Sequence, residues 1–340
     1  MRTRYLLIPF FLVLALALAS CSGGAGQDEA DDGGKLVIYS GRKENLIKPV
    51  INAFEEQSGV KVTLLAGGAS ELANQIIEEQ NNPRADVYIS NDAGTLGYLA
   101  LQNVLQSYES EATNAVPDDL KADDGAWVGA SIRARVIMYN SDLVTPADLP
   151  DSIFDLADPK WKGQFGMTNS ASEALTGHVS ALRILKGDDF TEQFLRDLKN
   201  NDPLLTKSHG EIRKAVGSGE IKLGLVNHYY YHHEKDEGSP VGVIYADQGP
   251  DDIGTVLNVA GIAIVKGARN QKAAEAFVEF VLGREAQEIF AGENKEAPVI
   301  SAVPTVDARP PGTYKQASVP LGQLGKELDQ TLAMLEKVGI

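Results

Sequence analysis

Apolar positions along this chain follow two periods, and the chain switches between them repeatedly. Leu36-Val37-Ile38-Tyr39-Ser40 is a short apolar run that predicts a first strand. Leu46, Ile47, Val50, Ile51 and Phe54 then fall at helical spacing. Pro49 lies early enough in that helix to be tolerated, and Gly59 stops it. Residues 61–65 predict the next strand, and Ser70 is placed to cap a helix carrying Leu72, Ile76 and Ile77. Residues 85–90 predict a third strand, followed by a turn at Asn91-Asp92-Ala93-Gly94 and a helix through Leu96 and Leu99. Strands alternating with helices imply a mainly parallel sheet.

The second half repeats the theme less regularly. Residues 127–140 form a long β-prone stretch, long enough to pass from one lobe to another. Residues 151–163 read as loop and short helix, 164–168 as a strand, and 174–185 as a helix after a Ser/Asn-rich turn. A short helix over 211–216 precedes a buried strand over 221–226. Residues 255–265 read as a returning strand and 273–290 as one helix with Phe277, Phe280, Val281 and Ile289 on its buried face. Leu324, Leu328, Leu332 and Leu335 mark a closing amphipathic helix.

The strand at 221–226 runs into Asn227-His228-Tyr229-Tyr230-Tyr231-His232-His233. Three consecutive phenols between imidazoles suit neither a hydrophobic segment nor a solvated face. A phenol has an ordinary pKa of about 10, and a trivalent cation can displace its proton. The resulting phenolate is a hard anionic donor matched to Fe(III). The plainer alternative is a strand end whose aromatics pack into a crevice. Adjacent helical positions turn by about 100°, so the histidines cannot all face the same ion as the tyrosines. Asn91, Asp92, Ser170, Ser172, Ser208 and Asn227 are expected to supply hydrogen bonds to an anion or around a metal.

The N-terminus carries Arg2 and Arg4 before an apolar core over 6–19, too short to span a bilayer. It ends Leu18-Ala19-Ser20-Cys21, which resembles a bacterial lipobox with Cys21 as the lipidated residue. Residues 1–20 are therefore expected to be a lipoprotein signal peptide, and 21–34 a flexible Gly/Asp/Glu-rich tether. Cys21 is the only cysteine, which excludes an intrachain disulfide. The net charge is −16, or −18 once the two positive charges of Arg2 and Arg4 are removed, which argues against a nucleic-acid partner. No Gly-x-Ser-x-Gly elbow, P-loop or His-Glu-x-x-His motif suggests an enzyme.

Several blocks resemble the solute-binding proteins of ABC importers, specifically the ferric-iron-binding group. They are Val37-Ile38-Tyr39-Ser40-Gly41-Arg42, Ala85-Asp86-Val87-Tyr88, Arg133-Ala134-Arg135-Val136-Ile137-Met138-Tyr139-Asn140 and Asp158-Pro159-Lys160-Trp161-Lys162-Gly163. Gly217-Ser218-Gly219-Glu220-Ile221, leading into the tyrosine pair, completes the set. The resemblance implies an α/β, two-lobed periplasmic-binding-protein fold of type II, with mixed sheets flanked by helices and a hinge of crossing strands. The lobes are expected at 35–134 plus 260–303 and at 135–259 plus 304–340. It implies Fe(III) as transported ligand, held by Tyr39, Tyr229 and Tyr230, with Arg42 on carbonate or another small anion. It also implies a monomer on the extracytoplasmic face, anchored to the membrane by lipid, with an ABC permease as partner.

The chain departs from the group's pattern in three places. Lys43 stands where many members have histidine, Asn91 where many have glutamate, and Ser170-Ala171-Ser172 where some have a further tyrosine. Three phenolates at best would neutralise Fe(III) and leave positions for an anion or water. A ferric chelate, or an organic ligand such as a polyamine, a thiamine-like molecule or a phosphonate, remains an alternative cargo.

Overall fold

A computed structural model describes residues 34–340. The expected signal peptide, Cys21 and the tether up to residue 33 lie outside the described residues. The first lobe opens with β1 (Lys35–Ser40), α1 (Glu44–Ser58), β2 (Lys61–Ala66), α2 (Ala69–Glu78), β3 (Val87–Ser90) and α3 (Ala93–Leu101). Two short elements, β4 (Leu105–Gln106) and α4 (Glu111–Ala115), lead to the long β5 (Val128–Asn140). The second lobe continues with β6 (Phe165–Thr168), α5 (Glu173–Lys186), α6 (Asp188–Asn200), β7 (Leu204–Thr206) and α7 (His209–Ser218). Then come β8 (Leu223–Asn227), α8 (His228–Asp236) and β9 (Val241–Ile244). The chain returns through β10 (Leu257–Val265), α9 (Gln271–Leu282), α10 (Arg284–Gly292), β11 (Ala297–Pro298) and α11 (Leu324–Val338).

The strand order is β2-β1-β3-β10-β5-β8-β6-β7. Pairs β1–β2, β1–β3, β6–β7 and β6–β8 are parallel, whereas every pairing of β5 and β10 is antiparallel. β5 is the common element. Its residues 128–134 pair with β10, and from Arg135 onward it pairs with β8 and then β9. One strand thus passes from the first lobe to the second at Ala134-Arg135. It is buried along almost its whole length, so its side chains face packed surroundings on both sides.

Three features differ from the pattern-based reading. The helix expected over 273–290 is two helices, because Gly283 takes an extended backbone (φ −74, ψ 161) between α9 and α10. α2 starts after Gly68 rather than being capped by Ser70, and its N-cap makes no side-chain capping bond. α6 was not anticipated among its charges, although Thr191, Phe194, Leu195 and Leu198 form its buried stripe. In addition, α11 is not confined to one lobe. Leu324 joins the first lobe's core, while Met334, Leu335 and Val338 join the second lobe's core with Phe165 and Leu182.

Contact between α11 and α3 depends on two glycines. A Cβ on Gly97 would lie 3.2 Å from Gly325 Cα, and a Cβ on Gly325 would overlap the Gly97 backbone. Gly325→Ala is therefore expected to destabilise by about 1–3 kcal/mol, the usual cost of overpacking. Urea unfolding would show a lower midpoint for it and little change for Gly322→Ala, whose Cβ would meet nothing within 4 Å.

Candidate metal and anion site

The cleft centres on the N-termini of three second-lobe helices. Ser172 precedes α5, Ser208 precedes α7 and Asn227 precedes α8, and none of the three side chains caps its own helix. All three residues line a cavity of about 110 Å³ together with Asn91, Tyr229 and Tyr230. Unpaired backbone N–H groups at such helix ends favour negative charge. Lys43, Lys207, Arg133 and His209 line the same cavity, opposed by Glu173. The cleft is therefore electropositive in a strongly acidic chain.

Tyr229 and Tyr230 open α8, and their rings lie 4.4 Å apart at 32°. Tyr229 is buried, and the Arg133 guanidinium carbon sits 5.9 Å from its ring centre. His209 meets Tyr230 edge-on at 5.3 Å. Burial, then the neighbouring Tyr229, raises the Tyr230 pKa well above that of an ordinary phenol. Without a cation, Tyr230 therefore stays protonated at neutral pH.

The arginines behind the phenols form a connected network. Glu296, fully buried, accepts from Arg42 Nη2 at 2.8 Å, Arg133 Nε at 3.0 Å and Ser131 Oγ at 2.8 Å. Burial alone would raise the Glu296 pKa, but Arg42 and Arg133 outweigh it and hold it at about 2. Arg133 also donates to the Asn91 carbonyl, and its Nη2 donates to Asn91 Oδ1 at 3.2 Å. Arg135 Nη1 lies 2.7 Å from His209 Nε2. Because arginine only donates, His209 Nε2 is the acceptor and its proton is assigned to Nδ1. Burial, then Arg135, keeps His209 neutral, with its pKa well below the usual imidazole value.

Several expected site residues occupy other roles. The Tyr39 hydroxyl donates to Glu79 Oε2 at 3.1 Å and accepts from Gln75 Nε2 at 3.1 Å, so it faces α2 rather than the cleft. All three groups belong to the first lobe, and closure of the lobes would not free the phenol. Arg42 is sealed against Glu296 and Phe290 and does not line the cavity. Asp92 caps α3 by accepting from Thr95 N at 3.1 Å and Thr95 Oγ1 at 2.7 Å. Burial raises its pKa to about 6, and as an acceptor it offers an anion nothing. Ser170 is exposed and outside the cavity lining. Asn91 lines the cavity, but its amide is committed to Gly41 and Arg133.

Reading the sequence missed Arg133, Arg135, His209 and Glu296. The arginines did leave a signal: two charges two residues apart within a mostly apolar strand are buried polar groups that need partners.

The Glu296 pKa makes a pH prediction. Its folded pKa lies below the unfolded carboxylate value of about 4.3, so its contribution is complete above that value and is lost as pH falls towards about 2. Glu296→Gln should cost about 3–5 kcal/mol at neutral pH, because it strands two buried guanidiniums. It should also remove part of the acid-induced loss of stability between those pH values. Urea titrations of both proteins at neutral and acid pH measure this, and parallel pH profiles would contradict it.

Residues 39–288 match the family of bacterial extracellular solute-binding proteins. The chain is 32% identical over 343 residues to Iron uptake protein A1 of Synechocystis sp. (strain ATCC 27184 / PCC 6803 / Kazusa), covering 95% of this chain and 92% of that protein. Iron-bound HitA from Pseudomonas aeruginosa has the same fold with a TM-score of 0.84 at 30% identity, over 90% of this chain and 99% of that one. Trichodesmium IdiA (FutA), solved with iron and citrate ligands, superposes with a TM-score of 0.77 at 30% identity, over 90% and 99% of the two chains. Two lobes of mixed sheet sharing a crossing strand correspond to the type II periplasmic-binding-protein architecture of these relatives. The chain belongs to the bacterial extracellular solute-binding proteins, in the group that holds their ferric-iron-binding members.

Proposed function

We propose that this chain captures ferric iron in the cleft through the Tyr229 and Tyr230 phenolates, with an exogenous anion completing the coordination. The stacked phenols at the start of α8, set among helix N-termini and buried arginines, carry this reading. Fe(III) with two phenolates keeps one positive charge, and Lys43, Lys207, Arg133 and Arg135 add more. The cleft therefore calls for an anion that ligates the metal while accepting from Ser172, Ser208, Asn227 and His209. Carbonate meets that description, as does a carboxylate chelator such as the citrate found with iron in the Trichodesmium protein. A polyamine would be repelled by the same cations.

Membership of the family implies an extracytoplasmic binding protein working with an ABC permease. Our finer reading is a lipid anchor at Cys21, with closure of the lobes around the loaded cleft as the signal for docking. Iron would stabilise the closed form only by binding it more tightly than the open one.

The visible spectrum of the purified protein with Fe(III) and carbonate or citrate tests the assignment. A phenolate-to-iron charge-transfer band is expected, and it should vanish in Tyr229→Phe/Tyr230→Phe together with at least about 100-fold of affinity. Wild-type iron affinity in that double variant would overturn the ligand assignment. A phosphonate or other anion that stabilises the protein while no band forms would point to metal-free anion transport.

Acidification gives a second test. Each phenol must lose a proton on binding, so affinity should fall by roughly ten- to a hundredfold per pH unit below neutrality. Competition against a chelator of known pH dependence measures the slope, and a flat profile would exclude phenolate ligation.

A further inference from the structure

A second, small void adjoins the cleft and shares Arg133, Ala174 and Asn227 with it. Arg133, Arg135, His178, Asn227 and Asn258 line it, and its volume of about 10 Å³ suits one water-sized particle. Arg135 Nε and both ring nitrogens of His178 are buried without a hydrogen-bond partner. Arg135 is 7% exposed and His178 4%. The remaining Arg135 contacts are His209 Nε2 and the Ala174 carbonyl.

The charges at the void do not balance. Glu296 is shared by Arg42 and Arg133, and among the described residues no carboxylate lies within ion-pair distance of Arg135. A buried cation without a counter-charge is strongly disfavoured. Asn258 Oδ1 accepts from the backbone N–H of Ala93 at 3.0 Å and of Val259 at 2.8 Å, leaving its amide nitrogen as the donor end. Gly177 keeps room for that amide, since a Cβ there would lie 2.7 Å from Asn258 Nδ2.

We propose that this void binds one monatomic anion of the chloride class, paired with Arg135 and hydrogen-bonded by His178 and Asn258. Its size excludes carbonate and phosphate. A water molecule fits equally well but leaves the Arg135 charge uncompensated. The proposal concerns the iron-free protein, in which no described carboxylate offsets the Arg135 charge.

Iron-free protein dialysed and crystallised in bromide tests it directly. One bromide anomalous peak in contact with Arg135 Nε is expected. In solution, thermal midpoints should rise saturably with chloride or bromide relative to gluconate at equal ionic strength. That difference should disappear or weaken markedly in His178→Phe, which removes the ring N–H donor. Absence of an anomalous peak in the void, with water density alone, would overturn the proposal. So would halide-independent stability of the wild-type protein. Neither wild-type measurement depends on whether the variant folds.

Discussion

The Glu296 carboxylate between Arg42 and Arg133 is the constraint on which the cleft depends. It joins the turn after β1, the middle of β5 and the segment before β11, elements far apart in the chain. A buried ion pair gains little over apolar packing in net stability, but its geometry is demanding. Here that geometry fixes Arg133, the residue that reaches both Asn91 in the first lobe and the Tyr229 ring in the second. An apolar replacement of the triad could preserve the core and still lose the cation held over the phenol.

The same strand carries the mechanical link between the lobes. Arg133 belongs to the stretch of β5 paired with β10, and Arg135 to the stretch paired with β8. Between them, Ala134 N–H donates to His228 Nδ1 at 3.0 Å, tying the crossing point to the first residue of the tyrosine helix. Burial depresses the His228 pKa to about 3, so this bond keeps its neutral acceptor across the physiological range. Rotation of the lobes about this point would move the arginines and the phenols relative to one another. α11 spans the same joint from outside, with Gly97 and Gly325 allowing its backbone to slide close over α3.

Much of this organisation could be read from the chain because it rests on periodicity. β1, α1, β3, β5, β8 and α11 follow runs and stripes of apolar residues. The phenol pair stood out because consecutive tyrosines beside histidines at a strand end are unusual for either a core or a solvated face. Tyr39 was misplaced for a physical reason. A strand-end tyrosine can turn to either layer, and the partner that decides, Glu79, lies forty residues away just past the end of α2. The resemblance implied Arg42 as an anion contact, and its partner Glu296 could not be read because it comes from an irregular segment that no period marks. Gly283 divided a helix whose apolar stripe runs on through the break, so the stripe alone could not reveal it.

Burial and the neighbouring Tyr229 raise the pKa of Tyr230, so its neutral phenol is favoured where the two rings stack at 4.4 Å. On the proposed reading, a trivalent cation would reverse that preference through its attraction to both oxygens. The arginines would then stabilise the phenolates from behind while the helix N-termini hold the anion in front. Selectivity for a highly charged metal would follow from that balance, since a weaker cation would not expel both protons. The same balance would favour release wherever protons become abundant or the metal's charge falls.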